Sequence, residues 1–183
     1  MNNEMRFEKS VAYINKKIVD ILKNVDEKEV EDVIKLFMDA RRIFVYGTGR
    51  SGLVGKAFAI RLVHLGFQTF VIGETITAPV QKNDLVILIS GSGETIPVTM
   101  TAEIARRLGA KIISVTANPD SHIARFADVL ISLSAGKRDS DLVPLGTLFE
   151  ASSWIFLDGL VSELMARKGE DEKKMRERHA TLE

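Results

Sequence analysis

The chain contains no cysteine, which excludes disulfides and thiol catalysis and fits a reducing compartment. It has no excess of either charge: Lys+Arg and Asp+Glu both total 25. That balance argues against nucleic acid or an anionic membrane as the main partner. No apolar run approaches the roughly 18 residues of a membrane span, and MNNEMRFEKS lacks the apolar core of a secretory signal. The expectation is therefore a cytoplasmic protein with no membrane partner. Only three histidines occur, His64, His122 and His179. They are widely separated, with no H-x-x-x-H and no carboxylate cluster, so a metal site is not expected. A nucleophile elbow and a Walker lysine are also missing. Neither an internal repeat nor a low-complexity segment interrupts the chain.

What remains is an ordinary globular composition, 45% apolar and 27% charged in 183 residues. A chain of this size buries roughly two-thirds of its extended surface and needs no staple. One domain with terminal arms is the expectation.

Residues 84–108 organise the rest. Leu85-Val86-Ile87-Leu88-Ile89 is a short, β-branched apolar run, suited to a strand buried on both faces. Ser90-Gly91-Ser92-Gly93-Glu94-Thr95 follows, and then a helix to Leu108. A strand, a Ser/Gly turn and a helix start together make a phosphate cradle. Glycines allow close approach, the first helical N–H groups are unpaired, and the macrodipole favours an anion. Ser90, Ser92 and Thr95 add hydroxyls. Glu94 sits oddly beside an anion, although a first-turn carboxylate suits the dipole. The plainer alternative is a polar turn with a capping serine.

Taken in order, apolar residues at 11, 14, 18, 21 and 25 form a helical seam, and Glu27 to Ala40 forms a second helix capped by Asp26 and Glu29. Arg42 to Tyr46 reads as a strand, Gly47 to Gly52 as a loop, and the following residues to Leu65 as a helix. Strands are expected over 67–72, 85–89, 111–116 and 128–132, with a short helix at 122–126. Alternating strands and helices imply right-handed crossovers and a parallel sheet covered on both faces. Gly136 to Asp141 is the most loop-like stretch. Gly146 to Arg167 is a helix apolar around much of its circumference, which suggests burial between the sheet and another subunit. After Gly169 the tail is charged and contains His179. The division is residues 1–40 as a helical arm, 41–168 as the α/β domain, and 169–183 as a tail that completes a site.

Gly47-Thr48-Gly49-Arg50-Ser51-Gly52 matches G-x-G-x-x-G between strand and helix, with Glu74 near the end of the next strand, so a dinucleotide site is one reading. The hydroxyl-rich second loop favours a compact phosphate instead. In a flavodoxin-like sheet the loops after strands one and three flank one crevice. Arg50 is either a further phosphate partner or a structural ion-pair residue. Glu150, near the start of an apolar helix, is the candidate for moving protons, against the plainer reading of a helix-start acid. His179 can serve as its partner, or simply be solvated. His64, on an apolar helix, reads as a core or interface histidine.

The GTGRSG and SGSGET loops resemble those of the sugar isomerase (SIS) domain family. With VIGETITAPVQKNDLVILISGSGET, PLGTLFEASSWIFLDGLVSELM and RHATLE, the resemblance narrows to its 6-phospho-3-hexuloisomerase branch. Thr181 departs from the asparagine usual there. The resemblance implies a flavodoxin-like α/β fold, a homotetramer built as a dimer of dimers, a sugar-phosphate substrate, and no metal or organic cofactor. It implies interconversion of D-arabino-hex-3-ulose 6-phosphate and D-fructose 6-phosphate through a cis-enediol, in the ribulose monophosphate pathway. By position, Glu150 becomes the base and His179 an assistant reaching a neighbouring subunit's site. Ser51, Gly52, Ser90, Gly91, Ser92, Gly93, Glu94 and Thr95 line the sugar-phosphate site. Two alternatives stand beside it: another SIS aldose–ketose isomerase, and a non-catalytic sugar-phosphate sensor.

Overall fold

The computed structural model describes residues 5–137, 139 and 141–181. Residues 1–4, Arg138 and Ser140 of the polar loop, and Leu182 and Glu183 of RHATLE lie outside the described residues. Two helices open the chain, α1 (Arg6–Leu22) and α2 (Glu27–Asp39). Asp26 caps α2 as its sequence predicts: its Oδ1 accepts the Lys28 N–H at 2.8 Å, and Glu29 Oε2 accepts the Asp26 N–H at 3.4 Å. The α/β body follows as β1 (Ile43–Gly47), α3 (Gly49–His64), β2 (Thr69–Val71), β3 (Leu85–Ile89) and α4 (Ile96–Arg107). It continues with β4 (Lys111–Thr116), α5 (His122–Phe126), β5 (Val129–Ser132), α6 (Thr147–Lys168) and the short α7 (Glu172–Glu177).

The strands pair in parallel in the order β2-β1-β3-β4-β5, the flavodoxin-like arrangement. Alternate strand residues point to opposite faces, so each strand feeds two cores. Ile43, Val45, Ile87 and Val115 pack with α2, α3 and α6 on one face. Phe44, Val86, Leu88 and Ile112 pack with α4 and α5 on the other. All five residues of β3 are buried, which is why it reads as an unbroken apolar run. Each such aliphatic side chain contributes about 1.5–3 kcal/mol by leaving water.

The end of the sheet where the strands begin is closed by a buried ion pair. Arg42 Nε and Nη2 donate to Asp84 Oδ1 and Oδ2 at 3.0 and 2.6 Å, and Asp84 Oδ2 also accepts the Gln81 N–H at 2.7 Å. The hydrogen bond to Asp84 raises the Arg42 pKa above its ordinary value.

One expectation needs correction. The first glycine-rich stretch is not a loop as far as Gly52. Helix α3 begins at Gly49, and the Gly52 N–H already donates to Thr48 O at 3.2 Å. Helix α6 buries Leu148, Phe149, Phe156, Leu157, Leu160 and Leu164 within this chain, while Trp154 and Ile155 stay half exposed.

Candidate active site

β1 and β3 are neighbours whose last residues, Gly47 and Ile89, stand in register. The two glycine-bearing segments therefore leave the sheet side by side, at the point where the strand order reverses. Close packing dictates the glycines of the first. A Cβ on Gly52 would stand 2.6 Å from Gly47 O, and one on Gly47 would stand 2.8 Å from Ile89 O. With no side chains there, Ser51 is brought into the first turn of α3 beside the second loop.

The second loop is held from behind. Gly91 O accepts the Ala117 N–H at 3.1 Å and the Thr116 Oγ1 hydroxyl at 3.3 Å. Ser92 O accepts from Asn118 Nδ2 at 3.5 Å, and Gly93 O from the Ile123 N–H at 3.2 Å. Three consecutive carbonyls are thus engaged by the β4–α5 segment. Ser90 Oγ accepts the Gly93 N–H at 3.1 Å and lies 3.2 Å from Thr95 Oγ1, while Ser92 Oγ accepts the Glu94 N–H at 3.2 Å. Gly93 has φ 67°, and a Cβ there would fall 2.1 Å from Ser121 Oγ. Only glycine fits. Thr95 is the N-cap of α4, so the loop runs onto the electropositive end of that helix, where Pro97 has no N–H and the Val98 N–H already donates to Thr95 O at 2.8 Å.

Glu94 reaches to the start of α5. Its Oε1 accepts the His122 N–H at 2.8 Å and caps α5, and the His122 ring in turn meets Glu103 Oε1 at 2.9 Å. This resolves its oddity beside an anion cradle. Glu74, the acid of the dinucleotide reading, pairs with Lys56 at 2.5 Å. Thr116, Asn118 and Ser121 escaped the sequence reading as site residues. The polar run Asn118-Pro119-Asp120-Ser121 after a strand was the available signal, since it leaves the sheet at the same edge.

Helix α6 delivers Glu150 to this edge. Phe149 packs on Gly91, where a Cβ would stand 3.1 Å from its Cδ1. Arg50 Nε donates to Glu150 Oε2, tying the first turn of α3 to the first turns of α6. The ion pair is one of the two sequence readings for Arg50. Glu150 Oε1 lies 2.7 Å from where a Cβ on Gly146 would be. The Glu150 side chain is 12% exposed and borders a cleft of 410 Å³ lined by Arg50, Leu53, Thr147, Trp154 and Ile155.

His179 is not brought to this edge. Its ring stacks on His64 at 5.0 Å and 29°, at the far end of α3. Arg178 donates to His64 O at 2.9 Å and to Glu170 Oε2 at 2.8 Å, fixing the tail there. The fourteen positions from Arg50 to His64 rise about 21 Å along the helix. No imidazole spans that within one chain. Among the described residues no three His, Cys, Asp or Glu side chains are grouped as a metal site, and no helix is long and apolar enough to cross a membrane.

Residues 36–152 match the family model of the SIS domain. The chain is 40% identical to a 3-hexulose-6-phosphate isomerase of Methanocaldococcus jannaschii, over 85% of either chain. It is 35% identical to that of Bacillus subtilis, over 98% of this chain and 100% of the other. A Methanococcus jannaschii crystal structure, described as inferring a 3-hexulose-6-phosphate isomerase function, matches with TM-score 0.87 at 35% identity, over 96% of this chain and 99% of the other. The chain belongs to the SIS domain family and is an isomerase within it.

Proposed function

We propose that the protein interconverts D-arabino-hex-3-ulose 6-phosphate and D-fructose 6-phosphate through a cis-enediolate, with Glu150 as the base. One observation carries the reading: α6 sets a carboxylate beside both glycine-bearing segments, with Arg50 on one side and Phe149 against Gly91 on the other. Its full-length relatives named for this isomerisation support the choice of substrate.

Ser51, Gly52 and Ser90 to Thr95 hold the phosphate, with Glu94 bracing the loop through α5 rather than touching the anion. Glu150 removes the C3 proton of fructose 6-phosphate. The C–H electrons form the C2=C3 bond and the carbonyl pair moves onto the C2 oxygen. A proton passes from the C3 oxygen to the C2 oxygen, and Glu150 returns its proton to C2, leaving the carbonyl at C3. One carboxylate serves both transfers from one face, and such a positioned base contributes about 10²–10⁴-fold. Phosphate binding remote from the reacting carbons supplies orientation. With that substrate pair, the reaction we propose is a step of the ribulose monophosphate pathway.

His179 enters from a neighbouring subunit, since its own position lies at the far end of α3. A homotetramer is the assembly we propose. Two exposed apolar surfaces are available to it: Ile96, Met100, Ile104 and Leu108, spaced by four along α4, and Leu53, Ile60, Trp154 and Ile155 on α3 and α6.

Proton NMR of fructose 6-phosphate incubated with the protein in deuterated water tests the reaction. Selective loss of the C3 proton with a new 3-ketose is expected. Exchange at C1 with an aldose product would move the protein to the aldose–ketose isomerases. Binding without exchange would make it a sensor.

A further inference from the structure

Arg50 is the side chain by which the candidate phosphate loop reaches the candidate base. It stands in the first turn of α3, immediately before Ser51, and crosses to α6 to meet Glu150. The pair is unequal. The Arg50 side chain is 70% exposed, whereas that of Glu150 is 12% exposed. Gly146 adjoins the carboxylate, and the other residues that line the cleft beside it, among them Leu53, Val54, Thr147 and Trp154, are uncharged. Arg50 is thus the cation of this corner.

A guanidinium carries five donors in a planar fork. Nε is engaged by Glu150, and the rest of the fork faces solvent at the mouth of the site. A phosphate dianion beside Ser51 competes strongly for that fork, because it accepts two parallel charge-assisted hydrogen bonds at once. While Arg50 holds Glu150 Oε2, that oxygen is occupied by the guanidinium and is not free to approach a substrate carbon.

We propose that Arg50 couples phosphate occupancy to the base: its guanidinium holds Glu150, and a bound phosphate draws the guanidinium away and leaves the carboxylate to the reacting carbons. Arg50 is then a residue that determines specificity for phosphorylated sugars. The coupling rests on the functional reading given above. It adds that the phosphate acts on the rate of proton removal as well as on affinity, and that an unphosphorylated sugar meets an engaged base.

The test follows deuterium uptake at C3 from deuterated water, with fructose 6-phosphate and with unphosphorylated fructose, the latter with and without phosphite dianion as a detached phosphate. In the wild type, phosphite is expected to raise the exchange rate of fructose by about 5–150-fold, the usual range for coupling between two sites. Arg50→Ala is expected to lose that stimulation and to exchange fructose at the same rate with or without phosphite. Its loss on fructose 6-phosphate falls mainly on KM. Arg50→Lys, which keeps the charge without the fork, is expected to retain part of the stimulation. Wild-type exchange of fructose indifferent to phosphite, or full stimulation persisting in Arg50→Ala, overturns the coupling alone. Absence of C3 exchange on fructose 6-phosphate itself overturns the functional reading, and the coupling with it.

Discussion

The two ends of helix α3 carry the two groups proposed to move protons, and they are built differently. At its start, Arg50 and Ser51 stand beside Glu150 and the second loop, a corner of glycines, hydroxyls and one ion pair with an open cleft. At its end, His64 is buried, His179 stacks on it, and Arg178 closes over Gly66 and Glu170. The first end has the parts of a reaction site. The second packs the tail onto the end of α3 and leaves His179 exposed. Sheet topology sets the first, because the loops after β1 and β3 diverge only where the strand order reverses. Local tail contacts set the second.

Perturbing each end separates these roles. The largest effect is expected from Glu150→Gln, which keeps the shape but removes the base and lowers kcat by about 10²–10⁴-fold. Near-full turnover in that variant would remove Glu150 from the reaction. His179→Ala is expected to lower kcat by about 10²-fold with the fold intact by circular dichroism, since a positioned acid or base contributes at least that much. A loss confined to thermal stability would make His179 only a docking residue.

Smaller effects test the parts outside both ends. Asp84→Ala leaves Arg42 buried without its partner and is expected to cost about 3–5 kcal/mol in chemical denaturation, with KM unchanged. The tail should also respond to acid. The Arg178 hydrogen bond holds the Glu170 carboxyl below its ordinary value. Because the folded pKa is lowered, its contribution is complete above the unfolded-state pKa and is lost as pH falls through the folded one. Hydrogen exchange over 172–177 is expected to quicken in that acid range only. Quickening near neutrality would point to a different latch.

Much of this was legible in the sequence because it is local. The apolar run of β3, the limits of β4 and α5, and the capping box of α2 each follow from neighbouring residues. Gly49-Arg50-Ser51-Gly52 misled, since glycines and serine read as loop where tight packing on Gly47 had already begun a helix. Other features have no local signature. Arg50 and Glu150 are 100 positions apart, and the support of the second loop by Thr116, Asn118 and Ser121 exists only because β3 and β4 are neighbours. The same holds for Glu94: its role as the cap of α5 depends on a contact 28 positions away.

The central claim is that the reaction occurs at the start of α3, with His179 supplied by a second copy of the chain. Mixing Glu150→Gln and His179→Ala proteins under conditions that exchange subunits tests it most directly. Two exchanging copies that share sites assemble intact ones from the unmutated residue of each, and about a quarter of sites are expected to recover in an equal mixture. Recovered C3 exchange near that level supports a shared site. Mixed oligomers demonstrated by mass spectrometry, with no activity beyond the average of the two variants, would contradict it.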